Sequence, residues 1–259
     1  MENSENTRQT NYTIAEGYEL PSKGLIYGKQ VNPHIELRSM TARDEMKRLS
    51  PSTTQFKTLS DIIEGCCIEK PAVHVYDMAL GDYEFLLHKL RIVTYGEEYK
   101  ISVRCPYCGE EVETVAHLDE LAVKEFDIDK FEEKRTITLP KSGSVVTLKF
   151  QTPRMLDEIE NRTREMKRKY KTADIAFDLL VLLECVIDTV DGTHLEASKV
   201  ETFINNLPAM DMTKIVNSID ELNAMVGIEN KLTVDCPKCG GEVRTSFRYG
   251  TEFFRPTNI

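Results

Sequence analysis

Four of the seven cysteines stand in two copies of one short pattern, Cys105-Pro106-Tyr107-Cys108-Gly109 and Cys236-Pro237-Lys238-Cys239-Gly240. Two cysteines two residues apart in a tight turn present both sulfurs to one metal ion, and Zn²⁺ takes four thiolates tetrahedrally at about 2.3 Å. One such knuckle holds a metal weakly, whereas two complete the site. A glycine after the second cysteine suits a left-handed backbone position, and the proline stiffens the turn. The other reading of each pair, as a separate redox motif, wants a helix N-terminus in a βαβ setting, which neither stretch offers. The residue types therefore predict one structural zinc on Cys105, Cys108, Cys236 and Cys239, with no open coordination position and no catalytic role.

Each pattern sits between two alternating runs. Ile101 and Val103 precede the first, Leu232 and Val234 the second, and Glu-Val opens the run that follows each. Both are hairpins with cysteines at the tip. The 127 residues from Gly109 to Asp235 lie between them, more than compact zinc ribbons leave, so the gap must be a folded insertion. Closing a longer loop costs only ~0.6 kcal/mol per doubling, so the separation does not forbid the site.

The elements that must bring the knuckles together are legible in part. "HIELR" alternates as a short strand, and Thr41 followed by Asp44 resembles a capping arrangement opening a helix. A helix is expected around Phe56 to Glu64. Another spans Met78 to Gly96, starting at Gly81-Asp82, with Phe85, Leu86, Leu90 and Val93 on one face. "RTITLPKSGSVVTLKF" reads as a hairpin turning at Pro140 to Ser144, and Thr152-Pro153 opens a helix with Met155, Leu156 and Ile159 on its apolar stripe. Thr172 to Val190, apolar nearly all round, is expected as the most buried helix. Shorter and longer helices follow at Ala197 to Asn206 and Asp211 to Val226, the latter stopped by Gly227.

The fold class is therefore α+β, a mainly helical lobe inserted between two cysteine-knuckle β-hairpins that form a split zinc ribbon. By residues, 1–13 form a disordered polar arm, 14–104 an N-terminal α+β region, and 105–115 with 231–249 the zinc element. Residues 116–230 are the helical insertion with its one hairpin, and 250–259 a tail.

A net charge of −10 argues against attraction of the whole chain to a phosphate backbone. No apolar run is long enough to span a membrane, and the first residues lack the pattern of a signal peptide. GxxxxGK[ST], HExxH and GxSxG are all absent, so no catalytic residue, nucleotide or small-molecule substrate is assigned. Carboxylates, as in "HLDELAVKEFDIDKFEEK", read as solvated helix faces. Cys66, Cys67 and Cys185 read as packing residues. The basic run "RTREMKRKYK" reads as a solvated helix end or, more sharply, as a docking patch for an acidic partner.

Several stretches together carry a resemblance: "ELPSKGLIYGKQVNPHIELRSMTARDEMKRL", "LGDYEFLLHKLRIVTYGEEYKISVRCPYCG", "CVIDTVDG" and "VDCPKCGGEV". From about Glu19 onward the chain resembles the baseplate hub and hub-assembly proteins of T4-type contractile-tailed bacteriophages. The resemblance implies a non-enzymatic virion or assembly protein, made in the host bacterial cytoplasm, whose partners are other baseplate proteins. It implies Asp82, Arg91, Tyr95 and Gly96 as helix-framing positions. The N-terminal arm with the "LPSKGLIYG" loop, apolar at Leu25, Ile26 and Tyr27, is a candidate contact surface unless the loop packs back on its own domain. A zinc-ribbon protein that binds nucleic acid is the alternative. It would want basic residues around the knuckles, where Glu110, Glu111, Glu113 and Glu242 outweigh Arg104, Lys238, Arg244 and Arg248.

Overall fold

The computed structural model of the protein describes residues 15–28, 31–171, 175–247, 249 and 251–254. The polar arm expected over 1–13 lies outside them. Strands β1 (Ala15–Glu19) and β2 (His34–Arg38) pair antiparallel. Helix α1 (Ala42–Arg48) opens on Thr41, whose hydroxyl accepts from the Asp44 amide while the Asp44 carboxylate accepts from the Thr41 amide, the reciprocal cap read from the sequence. Helices α2 (Gln55–Cys66) and α3 (Leu80–Tyr95) follow, and α3 ends at Gly96, whose φ is 87°.

The two knuckle hairpins are β3 (Glu98–Arg104) with β4 (Glu111–His117), and β8 (Lys231–Asp235) with β9 (Glu242–Ser246). Between them lie α4 (Ile128–Arg135), β5 (Thr136–Thr138), β6 (Val145–Leu148), α5 (Pro153–Lys169), α6 (Phe177–Val186), β7 (Ile187–Val190), α7 (Ala197–Asn205) and α8 (Ala209–Ala224). The architecture is α+β, helices with small antiparallel sheets.

One expectation is overturned here. The helix read over Thr172 to Val190 is α6 alone, and residues 187–190 leave it to become β7, the third strand of the β5-β6-β7 sheet. Asp191 and Gly192 both have positive φ, 49° and 76°, and Val190 and Thr193 exchange both backbone hydrogen bonds across them. That is the geometry of a two-residue turn favoured by Asp-Gly, and β-branched Ile187, Thr189 and Val190 pair more readily than they continue a helix. The insertion thus holds a three-stranded sheet, not one hairpin.

Nor is α6 the most buried helix. That is α3, in which Tyr83, Phe85, Leu86, Leu87 and Leu90 are buried together with the polar Asp82, His88 and Arg91. The buried residues of α3 lie nearly all round the helix, the polar side chains among the apolar ones.

Two large cores meet at its N-terminus. The first gathers Leu37, Ile63 and Val75 with α3, and it receives Phe247 from the end of the second knuckle hairpin and Phe253 and Phe254 from the stretch expected as a tail. The second joins α4, α6, α8 and the three-stranded sheet, and it includes Ile26 and Ala79. Gly81 lies at the junction: a Cβ there would stand 2.3 Å from the Val226 carbonyl oxygen, so only glycine lets α3 cross the end of α8 this closely. A third and much smaller cluster, Val112 and Val243 with Cys105 and Cys236, lies between the knuckle hairpins.

Candidate metal centre

The two hairpins face each other through their alternating apolar residues, Val103 and Val112 on one side and Val234 and Val243 on the other. This packing brings the tips together although 127 residues separate them in sequence. Cys105 and Cys236 are buried and Cys108 and Cys239 exposed, and the four sulfurs lie within 4.8 Å of one another. Across the knuckles, Cys105 Sγ is 3.7 Å from Cys239 Sγ and Cys108 Sγ 3.6 Å from Cys236 Sγ. A disulfide needs about 2.05 Å. A tetrahedron of bonds of about 2.3 Å sets its sulfurs roughly 3.8 Å apart, which is close to the observed spacing.

The knuckles are related by an approximate two-fold. In the first, the Cys105 amide donates to the Glu110 carbonyl and the Gly109 amide to the Cys105 carbonyl. In the second, Cys236 donates to Gly241 and Gly240 to Cys236. Gly109 and Gly240 take φ of 75° and 69°, the left-handed position expected of them.

The residue between each cysteine pair braces the opposite knuckle. Lys238 Nζ lies 2.6 Å from Glu110 Oε2, and Tyr107 lies over Gly241, where a Cβ would meet its ring at 2.5 Å. The two braces occupy equivalent positions, one ionic and one aromatic.

Burial opposes ionisation of the Cys105 thiol, yet the Cys108 and Tyr107 amides aimed at it bring it down to about 7. The Glu110 amide lowers Cys108 too, but there burial and the three neighbouring thiols prevail and push it up to about 12. Four sulfurs so close cannot all carry charge by themselves, and a divalent cation among them would reverse that balance. Cys66, Cys67 and Cys185 stand apart, their thiols pushed by burial up to about 11, 12 and 11.

Of the four cations named for the nucleic-acid reading, Lys238 pairs with Glu110, Arg244 with Glu242 and Arg104 donates to the Gly109 carbonyl, and Arg248 lies outside the described residues. The nucleic-acid reading finds little support there.

The helix-framing positions have distinct tasks. Asp82 is fully buried and accepts from the Ser22 amide at 2.9 Å, the Ser22 hydroxyl and the Tyr27 hydroxyl at 2.5 Å. Burial pushes its carboxyl up despite these donors. The apolar loop is thereby drawn inward: Ile26 is buried, and Tyr27 donates to Asp82 while accepting from the Ala79 amide. Only Leu25 of its three apolar residues is exposed, so the loop packs back on its own chain. Arg91, also buried, donates to the carbonyls of Gly96 and Glu98 and lies against the rings of Tyr95 and Tyr99, fixing the angle at which β3 leaves α3.

Two further carboxylates escaped the sequence reading. Asp157 of α5 accepts from the Phe56 and Lys57 amides and the Tyr76 hydroxyl, capping α2, whose own Thr54 makes no side-chain cap. Asp211 of α8 accepts from the Lys141 and Ser142 amides, both at 2.8 Å, in the β5-β6 turn. In sequence nothing separates them from the many solvated acids.

No helix among the described residues is long and apolar enough to cross a membrane. No curated protein and no solved structure matches the chain. A family model, that of the T4 bacteriophage base plate protein, matches residues 15–255, most of the chain, and the protein belongs to this family.

Proposed function

We propose that this chain is a non-enzymatic component or assembly factor of the phage tail baseplate hub, acting by binding other baseplate proteins. The observation that carries the reading is the family match over residues 15–255. It is in keeping with a sequence whose titratable side chains fall in no pattern that would activate a nucleophile or a water. The protein folds in the host bacterial cytoplasm and works at the tail baseplate. Phage lacking the gene should accumulate heads and free tail components but few complete baseplates, and tagged protein should recover baseplate subunits. Normal contractile tails from such phage would overturn the assignment.

The same proposal gives Cys105, Cys108, Cys236 and Cys239 one structural zinc, which makes the paired hairpins a split zinc ribbon. The spacing of 3.6 and 3.7 Å across the knuckles supports it, as does a donor set with no fifth group among the described residues, since four thiolates in a closed tetrahedron suit zinc or iron. Elemental analysis of purified protein should find about one zinc per chain and no stoichiometric iron.

A further inference from the structure

The four knuckle sulfurs are placed for a second kind of closure, one that needs no metal. Two contacts cross from one hairpin to the other, Cys105 Sγ with Cys239 Sγ at 3.7 Å and Cys108 Sγ with Cys236 Sγ at 3.6 Å. Each sets a buried cysteine against an exposed one, so an oxidant in solvent reaches one member while the other waits behind it. A disulfide requires about 2.05 Å, so each pair must close by roughly 1.6 Å, a shift within the reach of two side-chain rotations.

Pairing within a knuckle differs in kind. The Tyr107 and Cys108 amides point at the Cys105 sulfur, and the Gly241 amide at that of Cys239. Drawing Cys105 sideways onto Cys108 works against this arrangement and leaves the hairpins unlinked, whereas drawing it onto Cys239 bridges them. The remaining cysteines offer no such pair. Cys66 and Cys67 direct their thiols to different acceptors, Asp44 and the Ile63 carbonyl, and Cys185 stands apart in α6.

We propose that the cysteine clamp is a redox switch with two closed forms: reduced on the proposed zinc, and oxidised as two cross-knuckle disulfides, Cys105 to Cys239 and Cys108 to Cys236. Only the reduced form rests on the zinc reading above. The oxidant is a small disulfide of the glutathione class. Cys239, on the exposed side of its pair, attacks as thiolate one sulfur of that disulfide, breaking its S–S bond, forming a mixed disulfide and releasing one glutathione thiolate. Cys105 then attacks the Cys239 sulfur, which breaks the mixed bond, forms the cross-knuckle one and releases the second glutathione thiolate. Cys108 and Cys236 repeat the exchange. Four thiols thus lose four electrons, two oxidised glutathiones become four reduced ones, each thiol proton ends on a departing glutathione, and the metal passes to solvent. Host cytosol keeps thiols reduced, so the metal form belongs to assembly in the cell and the disulfide form to a chain that has left it.

The test treats the full chain with oxidised glutathione and a chelator, then maps its disulfides by mass spectrometry without reduction. The product should be lighter by about 4 Da, two hydrogens for each of two disulfides. Cross-linked peptides should join Cys105 to Cys239 and Cys108 to Cys236, while Cys66, Cys67 and Cys185 still alkylate after denaturation. Chelator should lower the melting temperature of the reduced chain but not of the oxidised one, and dithiothreitol should restore the sensitivity. A Cys105→Ser chain should close Cys108 on Cys236 and leave Cys239 carrying one glutathione. Closure of Cys236 on Cys239 there, within-knuckle disulfides in the wild type, or four thiols still free after metal removal would each overturn the switch. Within-knuckle disulfides in a chain that purifies with zinc leave the zinc reading standing. Cross-knuckle disulfides in a chain that purifies without metal would uphold the oxidised form and overturn the zinc reading.

Discussion

The cysteine knuckles and the buried aspartates both fasten stretches of chain far apart in sequence, with opposite chemistry. Asp82 reaches back 60 residues, Asp157 about 100 and Asp211 about 70, each taking main-chain N–H groups of a distant stretch. They act within large cores that stay packed whichever way one hydrogen bond goes. The knuckles have a small cluster of four valines and two cysteines between them, and a two-stranded hairpin is at best marginal alone. Where the core is thin the join is made by four sulfurs; where it is thick, one carboxylate suffices.

The contrast can be broken most directly at the thin end. Cys236→Ser should lose the metal and destabilise the hairpin pair by more than ~3 kcal/mol, while the helical circular dichroism signal stays nearly intact. Full zinc retention in this variant, measured by elemental analysis, would sink the metal assignment. Collapse of the helical signal would show instead that the body depends on the clamp.

Next in size is Asp157→Ala, which strands two amides of α2 and the Tyr76 hydroxyl and should cost ~2–4 kcal/mol in denaturant unfolding. A loss near that of an ordinary surface change would mean that these N–H groups find other acceptors.

The Asp211 carboxyl sharpens the comparison through pH. Burial opposes its ionisation, yet the Ser142 and Lys141 amides hold its pKa below the usual carboxylate value. A carboxyl depressed in the folded state contributes stability above its unfolded pKa of about 3.9 and loses it as pH falls through the lower folded value. Wild type should therefore exceed Asp211→Asn in urea stability near neutral pH, with the gap closing in acid. A gap that persists unchanged below about pH 3 would contradict the assignment.

Smallest of all is Lys238→Ala, which removes the ionic brace between the knuckles. The pair is exposed, so the expected loss is ~0.5 kcal/mol with zinc content unchanged. A loss comparable to that of Cys236→Ser would show that the brace, not the sulfurs, holds the tips together.

What could be read in advance follows the same division. The knuckles declared themselves because cysteine at a two-residue spacing has few other uses, and because the pattern occurs twice. The cap at Thr41 was legible because its partner stands three residues away, and the start of α5 because a proline follows Thr152. Asp157 and Asp211 were not, since an aspartate facing solvent and one facing an amide 70 or more residues off look alike until the chain is folded. β7 was misread because the apolar run of α6 flows into it without a break. The Asp191-Gly192 turn was the available signal, and it was outweighed by hydrophobicity that helix and buried strand share. The inward fold of the "GLIY" loop depended on Asp82, a residue that shows its position in the helix but not its target.

The pairing of Cys105 and Cys108 with Cys236 and Cys239 also sets a timetable. As a ribosome makes this chain, the first knuckle emerges with two of the four thiols and waits while 127 residues are added, on the order of ten seconds at bacterial rates. The helical lobe can form in that interval, but the hairpins cannot be sealed. The stretch that supplies the missing two thiolates is followed at once by Phe247, Phe253 and Phe254, which close the first core. Under the proposed zinc site, metal capture and completion of that core fall at the same late moment of synthesis, and a chain released before it would have neither.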